Sequence, residues 1–213
     1  EQNSALEEHE QRDSDWLAHC AQHMRGISLN ETRDLFRRIV GEGLAERKQA
    51  TEAIRLVKAR LLRRESALES VPVDLDLDQI GGLRSLKRWI RACHELFSSK
   101  AQKAGVQPPS GVLLMGVSGC GKSLAAKIIP AAWNLPLIRL DMNRIMAGVG
   151  GSPEAAWARA IATAESAAPV VLWIDEIENA FGYMNGAVTS GNMTIFSSFL
   201  TWMQEKPDDV FVA

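Results

Sequence analysis

The chain contains, at residues 116–123, the run Gly116-Val117-Ser118-Gly119-Cys120-Gly121-Lys122-Ser123. This run has the G-x-x-x-x-G-K-S spacing of a phosphate-binding loop. Small residues let the backbone wrap closely, so that successive amides converge on phosphate oxygens where a helix begins. Lys122 would reach the β- and γ-phosphates of a nucleotide, and the Ser123 hydroxyl would bind Mg²⁺. We therefore expect nucleotide contacts from Gly116 through Leu124.

Short apolar runs alternate with helical patterns on both sides of this loop. The apolar runs cover 112–115, 137–141, 170–174 and 210–213, and the helical patterns cover 83–104, 122–133, 152–168 and 192–205. Continuous apolar strands joined by helices are typical of a parallel sheet that is covered on both faces. The sequence thus predicts an α/β fold, a P-loop NTPase parallel sheet with flanking helices. Pro130 should kink or end the second helix.

An acidic pair, Asp175-Glu176, follows the third apolar run directly. A buried strand that delivers two carboxylates at its carboxyl end would place Asp175 near Mg²⁺, through a water molecule. Glu176 is then placed to polarise an attacking water as a general base. An apolar run that ends in Asp-Glu is a weak signal by itself. The signal is stronger here because a phosphate loop precedes the run in the same pattern of strands and helices.

The first 70 residues differ from the rest of the chain in their proline and glycine content. They contain no proline, and their glycines are Gly26, Gly41 and Gly43, which predicts a small all-helical domain over 1–70. The spacing of Ser28 and Glu31 matches a capping box at a helix start. Pro72 and an Asp-rich stretch indicate an extended linker over 71–79, followed by the α/β core over 80–213.

Composition excludes several classes of protein. The chain has 213 residues, 46% of them hydrophobic, with a net charge of −2, so bulk basicity gives no argument for nucleic acid or anionic membranes. Seven Lys or Arg against three Glu over 44–65 are better explained as the solvated face of an amphipathic helix. No apolar run approaches the roughly 20 residues of a spanning helix. Three cysteines and a polar N-terminus favour a cytoplasmic protein.

From about residue 78 onward the sequence resembles the AAA family of ATPases. The segment 78–83, Asp-Gln-Ile-Gly-Gly-Leu, is similar to the family's Asp-x-Ile-Gly-Gly-Leu, which packs against adenine, and Ile80 and Gly81 are its matching positions. The segment 175–178 is similar to the family's Asp-Glu-Ile-Asp/Glu. More narrowly, residues 108–114, Trp173 and residues 199–206 resemble the uncharacterised AAA proteins of cyanobacteria, plastids and other bacteria, in which a helical region precedes the ATPase module.

The resemblance implies that the protein binds Mg-ATP and hydrolyses it to ADP and phosphate in a ring, expected to be a hexamer. Hydrolysis would drive remodelling or regulation of an unknown macromolecule, which is not expected to be nucleic acid. Gly148 stands where unfoldases of the family carry a substrate-gripping aromatic residue, which argues against the usual threading. The sequence ends at Ala213, before the family's sensor, arginine finger, fifth strand and helical lid. We therefore expect a truncated core that binds ATP far better than it hydrolyses it.

Several alternatives stay open. ATP could gate the assembly of a scaffold with negligible turnover, and, less favoured, the loop could belong to a small-molecule kinase. The glycine-rich segment 184–192 could be a second pore loop or simply disordered. A metal site at His19, Cys20 and His23 and a redox role for Cys120 are both disfavoured. We expect four tryptophans to serve in packing: Trp89, Trp133, Trp157 and Trp202.

Overall fold

The computed structural model describes residues 24, 27, 29–41, 53–54, 56–58, 67–75, 80–96, 104–148, 151–175, 177 and 190–213. Its helices are α1 (Leu29–Gly41), α2 (Arg84–Leu96), α3 (Lys122–Trp133), α4 (Met142–Met146), α5 (Pro153–Ser166) and α6 (Ser190–Glu205). Its strands are β1 (Leu68–Val71), β2 (Leu137–Leu140), β3 (Val170–Ile174) and β4 (Val210–Val212). Within these residues no helix is long and apolar enough to cross a membrane.

The four strands form one mixed sheet in the order β1-β2-β3-β4. Strands β2, β3 and β4 run parallel, and β1 pairs antiparallel with β2. On the far side of β4, Gly111 bridges to Val212 in parallel, and the Val112 N–H donates to the Val212 carbonyl at 2.8 Å. The chain therefore enters the phosphate loop from beside β4. The α/β sheet with flanking helices is confirmed.

Two details of the sheet differ from the sequence prediction. Residues 68–70 fall in the region predicted to be all-helical and Val71 in the predicted linker, yet together they form β1. Pro72 favours an extended conformation at the residue before it, and pairing with β2 satisfies the backbone there. The strand predicted at 112–115 is reduced to the bridge at Gly111, and Leu113 and Met115 are 67% and 82% exposed.

Strand β3 lies at the centre of two hydrophobic cores, one on each face of the sheet. All five of its residues are buried. Val170, Leu172 and Ile174 belong to the core under α5 and α6, whereas Val171 and Trp173 belong to the core under α2 and α3. This alternation is what the strand's period of two requires when helices cover both faces.

The tryptophans pack as the sequence predicts. Trp133 lies edge-on to Phe211, with ring centroids 4.7 Å apart, and its Nε1–H donates to the Ile90 carbonyl at 2.9 Å. Trp157 and Trp202 are edge-on to each other at 6.0 Å, and both are buried. Trp89 is half-buried against the core under α2 and α3. These indoles fix the helices on both faces.

Pro130 does not end α3, which continues to Trp133. The C-cap of α3 is Asn134, whose φ of 54° is left-handed, and the Leu135 N–H donates to the Pro130 carbonyl at 3.0 Å. Pro130 is buried in this helix. The packing of its ring in the core offsets the single helical hydrogen bond that a proline cannot donate.

Two buried lysines connect elements of the fold through backbone carbonyls. Lys58 is 3% exposed, and its Nζ donates to the carbonyls of Ala167 and Ala168 at 2.6 and 2.9 Å, just before β3. Lys206, after α6, donates to the Val210 carbonyl at the start of β4. Burial lowers the pKa of Lys206, while Asp208 and Asp209 act to raise it. The hydrogen bonds of Lys58 connect the N-terminal part of the chain to the segment just before β3.

That N-terminal part contains a small core of its own. Leu35 of α1 is buried with Met24 and Ile54, whereas Leu29 and Phe36 are exposed. The possible metal ligands His19, Cys20 and His23 lie outside the described residues, as do residues 184–189 of the predicted loop. Residues 190–192, which the prediction also assigned to that loop, form the first turn of α6 instead. Among the residues that are described, no group of His, Cys, Asp and Glu could hold a metal ion.

We predict that Lys58→Met lowers the free energy of unfolding by about 1–3 kcal/mol, because it removes two charge-assisted hydrogen bonds to buried carbonyls. Urea denaturation followed by circular dichroism measures the change. Arg88→Met, at an exposed position on α2, is the control and should stay within about 0.5 kcal/mol of the original protein. Equal stabilities of the two variants would contradict the anchoring role of Lys58.

Candidate nucleotide-binding site

The phosphate loop turns into α3 through two glycines with left-handed backbone. Gly119 has a φ of 79° and Gly121 a φ of 93°. A Cβ at either position would meet no atom within 4 Å, so the glycines are required by the backbone conformation and not by lack of space. Between them, the Cys120 N–H donates to the Val117 carbonyl at 3.3 Å and closes the turn. The sequence thus produces a tight loop that no run of larger residues would adopt without strain.

Helix α3 begins with Lys122, directly after a residue that has no side chain to cap it. The N-cap is Gly121. By contrast, Asp141 caps α4 by accepting from the N–H groups of Asn143 and Arg144 at 3.0 and 3.2 Å. Ser152 likewise caps α5 by accepting from the Ala155 N–H. The first turn of α3 therefore keeps its amides and the positive end of its dipole for an external anion.

Lys122 folds back over the loop that precedes it. Its Nζ donates to the carbonyls of Gly116 and Val117 at 2.9 and 3.0 Å. The ammonium group is thus held at the mouth of the loop by neutral oxygens, which phosphate oxygens can replace. The remaining predicted contact residues are exposed: Val117, Ser118, Gly119, Cys120, Gly121, Ser123 and Leu124.

Asp175 follows β3 at the same edge of the sheet. The carboxyl ends of parallel strands lie at the same edge of a sheet. The segment that leads into the phosphate loop runs parallel to β4, so the phosphate loop and the end of β3 lie at the same edge. Helix α3 also packs against β3, since Lys127 Nζ lies 5.9 Å from the centroid of the Trp173 ring. Asp175 is half-buried, whereas Glu176 lies outside the described residues and its role stays a prediction.

An arginine that the sequence analysis overlooked contacts Asp175. Arg139 of β2 is paired in register with Trp173, and its guanidinium lies 5.4 Å from the Trp173 ring centroid. Its Nη2 is 3.6 Å from an Asp175 carboxylate oxygen, and its Nη1 is 3.9 Å from an oxygen of Glu69 on β1. One signal was present in the sequence: a charged residue inside the apolar run 137–140.

The predicted adenine segment lies beside α2. Ile80 is half-buried against the core under α2 and α3, and its carbonyl accepts from Lys87 Nζ. Gly81 is exposed, and Gly82 and Leu83 have positive φ values of 71° and 50°. Asp78 and Gln79 lie outside the described residues. Contact of Ile80 and Gly81 with a base stays a prediction.

Gly148 is constrained in two ways. Its φ is 62°, and a Cβ at this position would lie 2.6 Å from the Gly151 carbonyl oxygen. A larger side chain would therefore have to change the backbone conformation and also displace Gly151. The geometry explains why this position, where family unfoldases have an aromatic residue, is a glycine here.

We predict that Gly121→Ala lowers ATP affinity by about tenfold or more, because a Cβ at this left-handed position strains the loop by about 1–2 kcal/mol. Isothermal titration calorimetry measures the affinity. Gly105→Ala is a matched control, since Gly105 has a φ of 71° and equally open space. Gly105→Ala should leave the affinity unchanged, because Gly105 lies outside the loop, and an equal loss of affinity in both variants would contradict a specific role of the loop.

The comparisons with known proteins agree on one family. Residues 112–213 match the family described as ATPase family associated with various cellular activities (AAA). The uncharacterized AAA domain-containing protein ycf46 of Gracilaria tenuistipitata var. liui is 39% identical over 192 residues, which are 88% of this chain and 38% of that protein. Its namesake from Guillardia theta is 36% identical over 189 residues, 88% of this chain and 37% of that protein.

A third relative is less similar and matches a shorter stretch of this chain. The proteasome-activating nucleotidase of Methanoculleus marisnigri is 30% identical over 131 residues, 60% of this chain and 32% of that protein. The chain thus spans well under half the length of each of these three relatives. The matched segment contains both the phosphate loop and Asp175. The chain therefore contains a segment, residues 112–213, that matches the AAA family of ATPases.

Proposed function

We propose that this AAA domain binds Mg-ATP and hydrolyses it to ADP and phosphate. The geometry of the phosphate loop carries the proposal. Two left-handed glycines, an α3 N-terminus without a side-chain cap and the Lys122 ammonium on the Gly116 carbonyl together form a cradle for anionic oxygens. Helices α4 and α5, by contrast, are capped by the side chains of Asp141 and Ser152.

Each residue of the loop has a role in this proposal. Lys122 exchanges the Gly116 and Val117 carbonyls for the β- and γ-phosphates, and the backbone from Gly116 to Leu124 surrounds the phosphate chain. Ile80 and Gly81 lie against the base. These contacts hold the nucleotide in line for attack on its terminal phosphate, which is most of what catalysis of phosphoryl transfer demands.

The donor set fits Mg²⁺. The Ser123 hydroxyl and the Asp175 carboxylate are hard oxygen ligands, and magnesium is usually bound by one or two such groups together with phosphates and water. When bound, the ion neutralises charge on the phosphates. Glu176, next to Asp175, accepts the proton of the attacking water as general base.

We further propose that the protein works as a ring, expected to be a hexamer, that acts on an unknown macromolecule. The match to the AAA family supports assembly. In such a ring, a group from a neighbouring subunit would add to the stabilisation of the transition-state charge. A second candidate is a scaffold whose assembly is gated by ATP binding with negligible turnover. The constraint on Gly148 favours it over threading by an aromatic grip.

We expect Glu176→Gln to lower ATP turnover by about 100-fold or more while nucleotide binding and the ATP-bound assembly are retained, because only proton abstraction is lost. Phosphate release, nucleotide binding and size-exclusion chromatography are measured on the same preparations. Glu205→Gln, at an exposed glutamate of α6, is the control. Unchanged turnover in Glu176→Gln would remove Glu176 from the catalytic role.

We expect turnover per subunit to rise steeply with protein concentration, because a neighbour's group completes each site on assembly. Phosphate release is measured over a dilution series without any acceptor, beside the oligomeric state. Negligible release at all concentrations, with an assembly that still responds to ATP, would favour the scaffold. Formation of ADP that requires an added small-molecule acceptor, without release of free phosphate, would favour a kinase.

A further inference from the structure

The carboxylate that would bind magnesium already has a cationic partner. The Arg139 guanidinium lies between Asp175 and Glu69, at 3.6 and 3.9 Å from their nearest oxygens. Both distances fit ion pairs but exceed those of hydrogen bonds. Arg139 is therefore shared between two carboxylates and tightly bound to neither.

The position of Arg139 is set by packing. Its guanidinium lies 5.4 Å from the Trp173 ring centroid, and its buried Nε has no hydrogen-bond partner among the described residues. Stacking on an indole holds a guanidinium without fixing which carboxylate it faces. The arginine can therefore shift between Asp175 and Glu69 while its stem stays in place.

The three charged residues come from three neighbouring strands. Glu69 lies on β1, Arg139 on β2 and Asp175 after β3, so the ion pairs cross the sheet in strand order. Strand β1 is antiparallel and precedes the matched AAA segment in the chain. The ion pairs thus connect a strand outside that segment to the proposed nucleotide site.

We propose that Arg139 competes with Mg²⁺ for Asp175, and that Glu69 sets the strength of this competition by drawing the arginine away. The inference rests on the proposed role of Asp175 in holding magnesium. A guanidinium and a divalent cation at one carboxylate repel each other, so the metal binds only as Arg139 turns toward Glu69. Arg139 is a positioning residue in this account, because it acts through Asp175.

The proposal predicts effects of opposite sign for two variants. Arg139→Gln removes the competing charge, so the Mg²⁺ concentration for half-maximal binding should fall by about two- to fivefold, in line with partly exposed ion pairs. Glu69→Gln leaves the arginine with Asp175 alone, so that concentration should rise by a similar factor. In the Arg139→Gln background, Glu69→Gln should have no further effect, because Glu69 acts only through Arg139.

The experiment is a titration of MgCl₂ at fixed protein and fixed fluorescent ATP analogue, read by the analogue's fluorescence. It measures binding and does not depend on turnover. Arg144→Gln is the matched control, because it removes the same charge from an ion pair with a different carboxylate, that of Asp141, at 3.4 Å. A loss of one positive charge that acts through the general field of the protein would lower the Mg²⁺ requirement equally in both arginine variants.

Opposite shifts in the two single variants, with no shift in Arg144→Gln and no effect of Glu69 in the double variant, would support the proposal. A shift in Arg139→Gln equal to that in the control, no shift, or a higher Mg²⁺ requirement would overturn it. If nucleotide binding to the original protein does not depend on Mg²⁺, the proposed function of Asp175 fails as well. If nucleotide binding depends on Mg²⁺ but the Mg²⁺ requirement is unchanged in Arg139→Gln, this inference alone is overturned.

Discussion

The rest of the structure depends on the burial of β3 from both faces. Its five residues alternate between two cores, and helices must lie over each of them. A strand so enclosed has no room for polar groups along its length, so the first carboxylate appears where the strand ends, at Asp175. Parallel pairing brings the neighbouring strand ends to the same edge. Because the centre of the sheet must be apolar, the polar groups of the candidate site lie at this edge.

The sequence pattern predicted the strands and the loop whose conformations depend on neighbouring residues in the chain. The apolar runs at 137–140, 170–174 and 210–212 are continuous because both faces are covered, and they form β2, β3 and β4. The glycines at 119 and 121 likewise indicate a left-handed backbone, which other residues adopt only at a cost in free energy. These signals are contained in a few consecutive residues.

Long-range pairing could not be predicted in this way. Strand β1 has the mixed sequence Leu-Glu-Ser-Val, and its partner β2 lies almost 70 residues further along the chain. Arg139 appeared only as a charge inside an apolar run, because its contacts depend on the register of three strands. The charge pattern over 44–65 predicts a solvated position for Lys58, yet its ammonium group is buried on carbonyls that lie 109 and 110 residues away in the chain.

Gly148 limits what mutation can do to this protein. A single substitution to an aromatic residue would meet both the left-handed φ of 62° and the Gly151 carbonyl. The backbone of the segment would have to be rebuilt before such a side chain became tolerable. Placing an aromatic side chain here therefore takes more than the substitution of Gly148 alone.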